Sequence, residues 1–350
     1  MLKSEIEIHT QKKLDNEIKL DYSDVLIRPR KTSLSSRSEV DLEKTFYFPR
    51  SNQSWTGIPI IASNMDIIGT YDVYKILSKY KIITALHKFH TLEDLKCMEL
   101  NKEYFMISTG ISDNDFKRLE DILSNIDVKF ICIDVANGYM ERLGEFCTKI
   151  RSLYKDKVLM VGNITCKYLT KELLNLGADI VKCGIGPGSA CTTRIKTGIG
   201  IPQLSTNLEC STEAHLNEGY IIADGGITCP GDLGKAFGSG ADFVMIGGQL
   251  AGHDENPGEI IDENGEKFKL FYGMSSSTAM KKHYGGVNNY RTSEGRTLKI
   301  KYKGKLEDTV LDYLGGLRST CTYTNSRTLS ELFDNVSFIR VNNQCNKVFV

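Results

Sequence analysis

The stretch KFICIDVANG, residues 129–138, is an apolar, β-branched run that stops abruptly at small and polar side chains. Such a run, bounded by Asn and Gly, predicts a buried strand that ends in a polar loop. Seven other stretches have the same form: IPIIASN from Ile58, IITALHK from Ile82, YFMISTG from Tyr104, VLMVGN from Val158, DIVKCGIG from Asp179, YIIADGG from Tyr220 and DFVMIGG from Asp242. Between most of them lie segments such as TYDVYKILSKY, DFKRLEDILSNI, RLGEFCTKIRSLY and TKELLNLGAD, whose apolar residues recur at three and four, the spacing of an amphipathic helix. Eight strand-then-helix units, about one every 26 residues, predict an α/β fold built as a (β/α)8 TIM barrel. The strands are apolar nearly throughout, as expected of a parallel sheet covered on both faces. The alternative is a doubly wound open sheet, which wants a strand-order reversal and usually fewer strands.

In a barrel of this kind the chemistry gathers at the C-terminal ends of the strands. The polar strand endings fall there: Asn64, His87 and Lys88, Thr109, Asp134 and Asn137, Asn163, the Gly184–Arg194 loop, Asp224 with Gly225 and Gly226, and Gly247 with Gly248. We read a single domain over residues 1–350, with a polar extension at 1–18 and a long insertion at 250–305 before the last helical pattern, TVLDYLGGL. Insertions of that length on a barrel usually serve as lids or substrate loops.

Composition narrows the function classes. The 350 residues carry 44 Lys plus Arg against 44 Asp plus Glu, so no overall field favours nucleic acid or an anionic membrane, and a phosphate would have to be gripped locally. No apolar run has signal or membrane-span length; a soluble, cytoplasmic protein is expected. The ten cysteines show neither a C-x-x-C pair nor zinc-ligand spacing with the histidines, and for all but Cys191 the expectation is a small hydrophobe.

Two motifs suggest chemistry. DGGIT at 224–228 and GSGADFVMIGG at 238–248 place paired glycines after the seventh and eighth strands, where barrels commonly build a phosphate cradle from backbone amides; simple strand capping is the alternative for any single pair. GIGPGSACTTR, residues 184–194, puts a thiol in a glycine turn among hydroxyls and an arginine, the surroundings that activate a cysteine nucleophile. The same turn can aim several carbonyls at a monovalent cation.

GIGPGSACTTR, DGGITCPGD, GADFVMIGG, FYGMSSSTAM and SDVLIRPRKTSLSSRSEVDL together resemble the IMP dehydrogenase and GMP reductase family, over about Lys19 to Val341. The resemblance implies a (β/α)8 barrel, usually a homotetramer, that binds a purine 5′-monophosphate and attacks its C2 with the loop cysteine. The interval Lys88–Tyr104 has no room for the regulatory module usual in IMP dehydrogenases, and HYGGVNNYRTSEGRT and GGLRSTCTY are similar to the GMP-reducing branch. That branch converts GMP and NADPH to IMP, ammonia and NADP+.

By this resemblance Cys191 is the nucleophile and Thr193 with Glu294 the proton relay. Asp224, Gly225, Gly226, Gly247, Gly248, Gly273, Met274, Ser275, Arg291, Thr292, Ser293 and Gly295 would hold GMP. Lys88, Asp134, Val135, Ala136, Asn137, Ile185, Gly186, Tyr290, Ser319, Thr320, Cys321 and Thr322 would face NADPH, with Ser36 and Arg37 reaching across from a neighbouring subunit. Backbone oxygens of Gly184, Gly186, Cys191 and Arg194 would take K+. Residue by residue, plainer roles compete: a helix cap for Asp134, solvated surface for Glu294 and Lys88. Other readings of the whole are an IMP dehydrogenase without its module, a nucleotide-binding barrel without turnover, and a flavin oxidoreductase on the same phosphate-binding barrel.

Overall fold

The computed structural model describes residues 14–286 and 292–342. All eight expected strands form: β1 (Ile60–Ala62), β2 (Ile83–Leu86), β3 (Phe105–Thr109), β4 (Phe130–Asp134), β5 (Val158–Ile164), β6 (Ile180–Cys183), β7 (Tyr220–Asp224) and β8 (Phe243–Ile246). Each pairs in parallel with its sequence neighbour, and β8 pairs with β1, so the sheet closes into a barrel. The open-sheet alternative is thereby excluded.

Side chains alternate between two apolar cores. Ile61, Ile83, Met106, Phe130, Cys132, Met160, Ile180, Ile222, Phe243 and Met245 fill the barrel, while Phe105, Ile107, Ile131, Ile133, Val161, Val181, Ile221 and Val244 face the surrounding helices. This period of two decides which polar residues can enter the barrel. Two residues beyond Cys132, Asp134 points inward; two beyond Ile180, so does Lys182; two beyond Ile222, so does Asp224.

The helical segments form as the spacing predicts. Asp113–Asn125 begins at a capping box, with Ser112 Oγ accepting the Asp115 amide at 3.1 Å and Asp115 Oδ2 accepting the Ser112 amide at 3.0 Å. Such a cap is worth about 1 kcal/mol, and the helix lays Leu119 and Ile122 on the barrel. Glu141–Leu153, Lys167–Asn175, Gln203–Leu216, Pro230–Gly238 and Leu306–Tyr323 continue the ring.

One feature was not foreseen from the sequence. A hairpin, Lys44–Phe48 with Gln53–Gly57, inserts Phe46, Phe48 and Trp55 into the inner core. Phe46 stacks on Phe243 at 4.3 Å between centroids, and Trp55 Nε1 donates to the Glu103 carbonyl at 2.7 Å. The plug enters from the start of the strands, which leaves the barrel open at the strand ends. The insertion after β8 holds an antiparallel sheet of Ile261–Glu263, Glu266–Tyr272 and Thr297–Lys301 and the helix Ser277–Tyr284.

Candidate active site

At the C-terminal ends of the strands lies a cleft of about 720 Å3. Cys191 sits on its wall, its backbone N–H donating to the Gly188 carbonyl at 3.0 Å and a single antiparallel bridge pairing it with Gly295. The Thr192 amide donates to the Glu294 carbonyl at 2.8 Å and the Arg296 amide to the Ala190 carbonyl at 3.0 Å, while Arg296 also donates two bonds to the Ser189 carbonyl. The insertion is thus zipped along the cysteine loop. Its result is a continuous chain of donors: Cys191 Sγ lies 3.2 Å from Thr193 Oγ1, which donates to Glu294 Oε2 at 2.8 Å. Glu294 is therefore not a solvated surface carboxylate.

The loop is tied down from behind by Arg194. Its guanidinium donates to Asp21 Oδ2 at 2.8 Å and to the Ile201 carbonyl at 3.0 Å, and Asp21 Oδ1 accepts the Gln203 amide. Arg194 also packs where a Cβ on Gly186 or Gly200 would sit, so the turn needs glycine at both places. Gly184 has φ +145, and a Cβ there would lie 2.3 Å from the Asp224 carbonyl.

Beside the start of the cysteine loop, at Pro187 and Gly188, Gly225 and Gly226 adopt φ of +93 and +84, a region open to glycine at little cost. Gly248 faces Ser189, whose hydroxyl a Cβ would meet at 2.6 Å. The two glycine pairs and Ser189 line one end of the cleft, with backbone bare enough to approach an anion. Gly273, Met274, Ser275 and Gly295 line it from the insertion.

At the barrel axis the cleft floor is charged. Lys182, to which the sequence alone assigns no role, is buried, and its Nζ reaches Asp224 Oδ2 at 2.5 Å, Asn163 Oδ1 at 2.9 Å and Asp134 Oδ1 at 3.0 Å. Asn163 donates onward to Asp224 Oδ2 at 2.7 Å and to the Gly184 carbonyl at 2.8 Å; Asn64 donates to Asp134 Oδ2 at 2.9 Å. Burial acts against the Lys182 charge, but Asp134 and Asp224 outweigh it and raise its pKa. Burial likewise acts against ionised Asp134, and Lys182 reverses that, holding the carboxyl below its usual value. Asp134 caps no helix: the helix Glu141–Leu153 starts at Met140. The signal for Lys182 was in the sequence, as one charge on the inward phase of an apolar strand.

Lys88, Val135, Ala136, Ile185 and Gly186 also line the cleft. The Lys88 ammonium lies over the rings of Phe89 and Tyr284, 5.7 and 5.8 Å from their centroids. Asn137, Thr292, Ser293 and Arg194 do not line the cleft, Asn137 and Thr292 being exposed; Ser293 Oγ donates to the Ser275 and Gly295 carbonyls. Tyr290 and Arg291 lie outside the described residues.

A second group of expected cofactor residues stands apart from this cleft. Arg37 Nε donates to Ser319 Oγ at 2.7 Å, and Thr320 and Thr322 bond carbonyls of their own helix. Cys321 is fully buried, and burial pushes its thiol up to about 12, so its side chain is closed to solvent. The remaining cysteines divide. Cys132, Cys147, Cys183 and Cys210 are buried as expected, Cys166 is partly so, Cys97 and Cys229 are exposed, and Cys345 lies outside the described residues.

The insertion is anchored by Asp66, which follows β1 and is almost fully buried. Its Oδ2 accepts His283 Nε2 at 2.6 Å, Lys282 Nζ at 2.8 Å and the Tyr272 hydroxyl at 3.0 Å, and its amide donates to Met274 Sδ at 3.4 Å. His283 stacks on Phe89 at 3.6 Å. Among the described residues, no three His, Cys, Asp or Glu side chains converge on a metal position and no helix is long and apolar enough to cross a membrane.

The closed (β/α)8 barrel thus carries at its strand ends a cleft lined by paired glycines, a loop thiol and a thiol–hydroxyl–carboxylate chain of contacts, the make-up of an enzyme barrel. A family model described as the IMP dehydrogenase / GMP reductase domain matches residues 19–347. The chain belongs to that family. It is 53% identical over 342 residues to GMP reductase 1 of Mus musculus, covering 96% of this chain and 99% of that protein. It is 51% identical over 341 residues to GMP reductase 2 of Bos taurus (96% and 98%) and 51% over 343 residues to GMP reductase of Escherichia coli O139:H28 (96% and 99%).

Proposed function

We propose that this chain reductively deaminates GMP with NADPH, giving IMP, ammonia and NADP+, by way of a thioimidate on Cys191. The observation that carries the reading is the chain of contacts from Cys191 Sγ through Thr193 Oγ1 to Glu294 Oε2 on the wall of the cleft. The half-identical, full-length relatives named GMP reductase support the substrate.

The residues divide the work. The Cys191 thiolate adds to C2 of the purine, and the 2-amino nitrogen leaves as ammonia, leaving a C–S thioimidate. An amide anion is too poor a leaving group, so the nitrogen takes a proton that Glu294 and Thr193 relay. NADPH supplies the hydride that then reaches C2. The C–S bond breaks as the sulfur departs with its electron pair, so the thiolate is restored.

Gly225, Gly226, Gly247 and Gly248 would hold the monophosphate and Asp224 the ribose hydroxyls, with Met274 and Ser275 over the base. Lys88, Asp134 and Ala136 would meet the nicotinamide half. In a homotetramer, the Arg37–Ser319 cluster of a neighbouring copy would complete the cofactor side. K+ would take carbonyls of Gly184, Gly186, Cys191 and Arg194. The Gly184 carbonyl already accepts Asn163 and that of Arg194 the Gly198 amide; a carbonyl has two lone pairs, so each keeps one for the ion.

The test is a paired assay of purified protein, GMP with NADPH and IMP with NAD+, followed at the nicotinamide absorbance. Consumption of NADPH is expected in the first; turnover confined to the second would assign IMP oxidation instead. Cys191→Ala is expected to abolish turnover and leave GMP binding nearly intact, and a fully active variant would remove the covalent route.

A further inference from the structure

Lys182 occupies the middle of four adjacent strands. It stands on β6, and its three oxygen partners come from β4 (Asp134), β5 (Asn163) and β7 (Asp224). Its side chain is 4% exposed, whereas those of Asp134 and Asp224 are 31% and 21% exposed. The ammonium is thus sealed beneath two carboxylates that themselves open to the cleft.

One ammonium against two carboxylates leaves the cluster net negative. Buried ion pairs of this kind often add nothing over a hydrophobic replacement, and the neighbours below, Ile180, Ile222 and Met160, would accept an apolar side chain. Stability is therefore a poor reason for a lysine here. Geometry offers a better one. The ammonium fixes Asp134 and Asp224 in one hydrogen-bonded frame, and Asn163, bonded to Lys182, Asp224 and the Gly184 carbonyl, extends that frame to the root of the cysteine loop.

We propose that Lys182 is a positioning residue that links the two nucleotide subsites, orienting Asp224 toward the GMP ribose and Asp134 toward the cofactor at the same time. This rests on the subsite roles given above. It acts through the two carboxylates and touches neither the reacting carbon nor the hydride. A ligand that draws on one carboxylate shifts the shared ammonium and so alters the other subsite. By linkage the effect is reciprocal: NADP+ changes GMP affinity by the same factor that GMP changes NADP+ affinity.

The test is calorimetric titration of GMP into wild type, K182Q and K182R, each with and without saturating NADP+, together with pH profiles of kcat/KM for NADPH. In wild type NADP+ is expected to change GMP affinity about fivefold or more; in both variants that factor is expected to fall to about one. The groups facing Asp134 are Lys182, Lys88, Asp224 and, below it, Cys132. K182Q removes the cation that keeps Asp134 ionised, so the acid limb is expected to move up by about one pH unit or more. K182R keeps the charge but not the compact three-way geometry, so its limb stays near that of wild type. A packing role alone would lower thermal stability and leave both readouts in place.

A coupling factor of one in wild type, or wild-type coupling in either variant, overturns the proposal. If K182Q does not fold, the K182R coupling factor decides alone. Wild type that fails to consume NADPH with GMP refutes the activity itself; normal wild-type turnover with unaltered variants refutes only the role of Lys182.

Discussion

Thr193 and Glu294 stand 101 residues apart in the chain and 2.8 Å apart in space, with the threonine hydroxyl donating to the carboxylate and the Cys191 thiol 3.2 Å from the same hydroxyl. In the mechanism proposed above, this line of contacts is the path by which a proton reaches the departing nitrogen. Glu294→Gln keeps the shape and removes the proton carrier. GMP consumption is expected to fall about 10²- to 10⁴-fold, with exchange of labelled hydride between NADPH and IMP much less affected. Equal losses in the two partial reactions, measured side by side, would strip Glu294 of the relay role.

Gly226 has φ +84, and a Cβ there would sit 3.2 Å from the ring of Tyr22. Alanine in this conformation costs about 1–2 kcal/mol, and its contact with Tyr22 and Pro187 strains the backbone proposed to hold the phosphate. Gly226→Ala is expected to raise KM for GMP about tenfold with kcat nearly kept, and to leave guanosine binding unchanged. Parallel titrations with the two ligands check this. Equal weakening of both would place the phosphate elsewhere.

Asp66 fastens the insertion to the barrel. Burial alone would raise its pKa, but Lys282, His283 and Tyr272 hold it below the ordinary carboxylate value. Its contribution to stability is thus complete above the unfolded value near 3.9 and is lost as pH falls through the lower folded value. Asp66→Asn is expected to destabilise by about 1–3 kcal/mol at neutral pH and to expose residues 250–305 to protease. Urea midpoints measured from pH 7 down to 2.5 should fall more steeply for wild type than for the variant. Parallel curves would show that the carboxylate carries no such load.

His215, at the end of the helix Gln203–Leu216, brings Nε2 to 2.9 Å from Oδ2 of buried Asp242. The carboxylate raises the histidine pKa. A raised folded value means that the stabilisation is full below the unfolded value near 6.5 and disappears as pH climbs through the folded one. Wild type is expected to lose stability as pH rises above about 6.5, and His215→Gln to show a flatter profile over that range. Denaturation midpoints across the interval measure it, and identical slopes would discount the pair.

Much of this was legible in the sequence, and the reason is locality. A strand such as KFICIDVANG declares itself through β-branched residues over a few positions, and a helix such as Asp113–Asn125 through its spacing and its Ser112 cap. Glycine turns around Cys191 and at Gly225–Gly226 are likewise set by what neighbouring backbone permits. The sequence by itself therefore determined the barrel, and it singled out the glycine turn whose thiol lies on the wall of the cleft.

The tertiary structure alone decided who meets whom. Lys182 joins Asp134 and Asp224 across 48 and 42 residues; Asp66 gathers donors more than two hundred residues away; Phe46, Phe48 and Trp55 plug a barrel built from later segments. Closure of a sheet brings the same end of every strand to one place whatever the distance along the chain. A charge on an apolar strand shows its purpose only once that closure has supplied its partners.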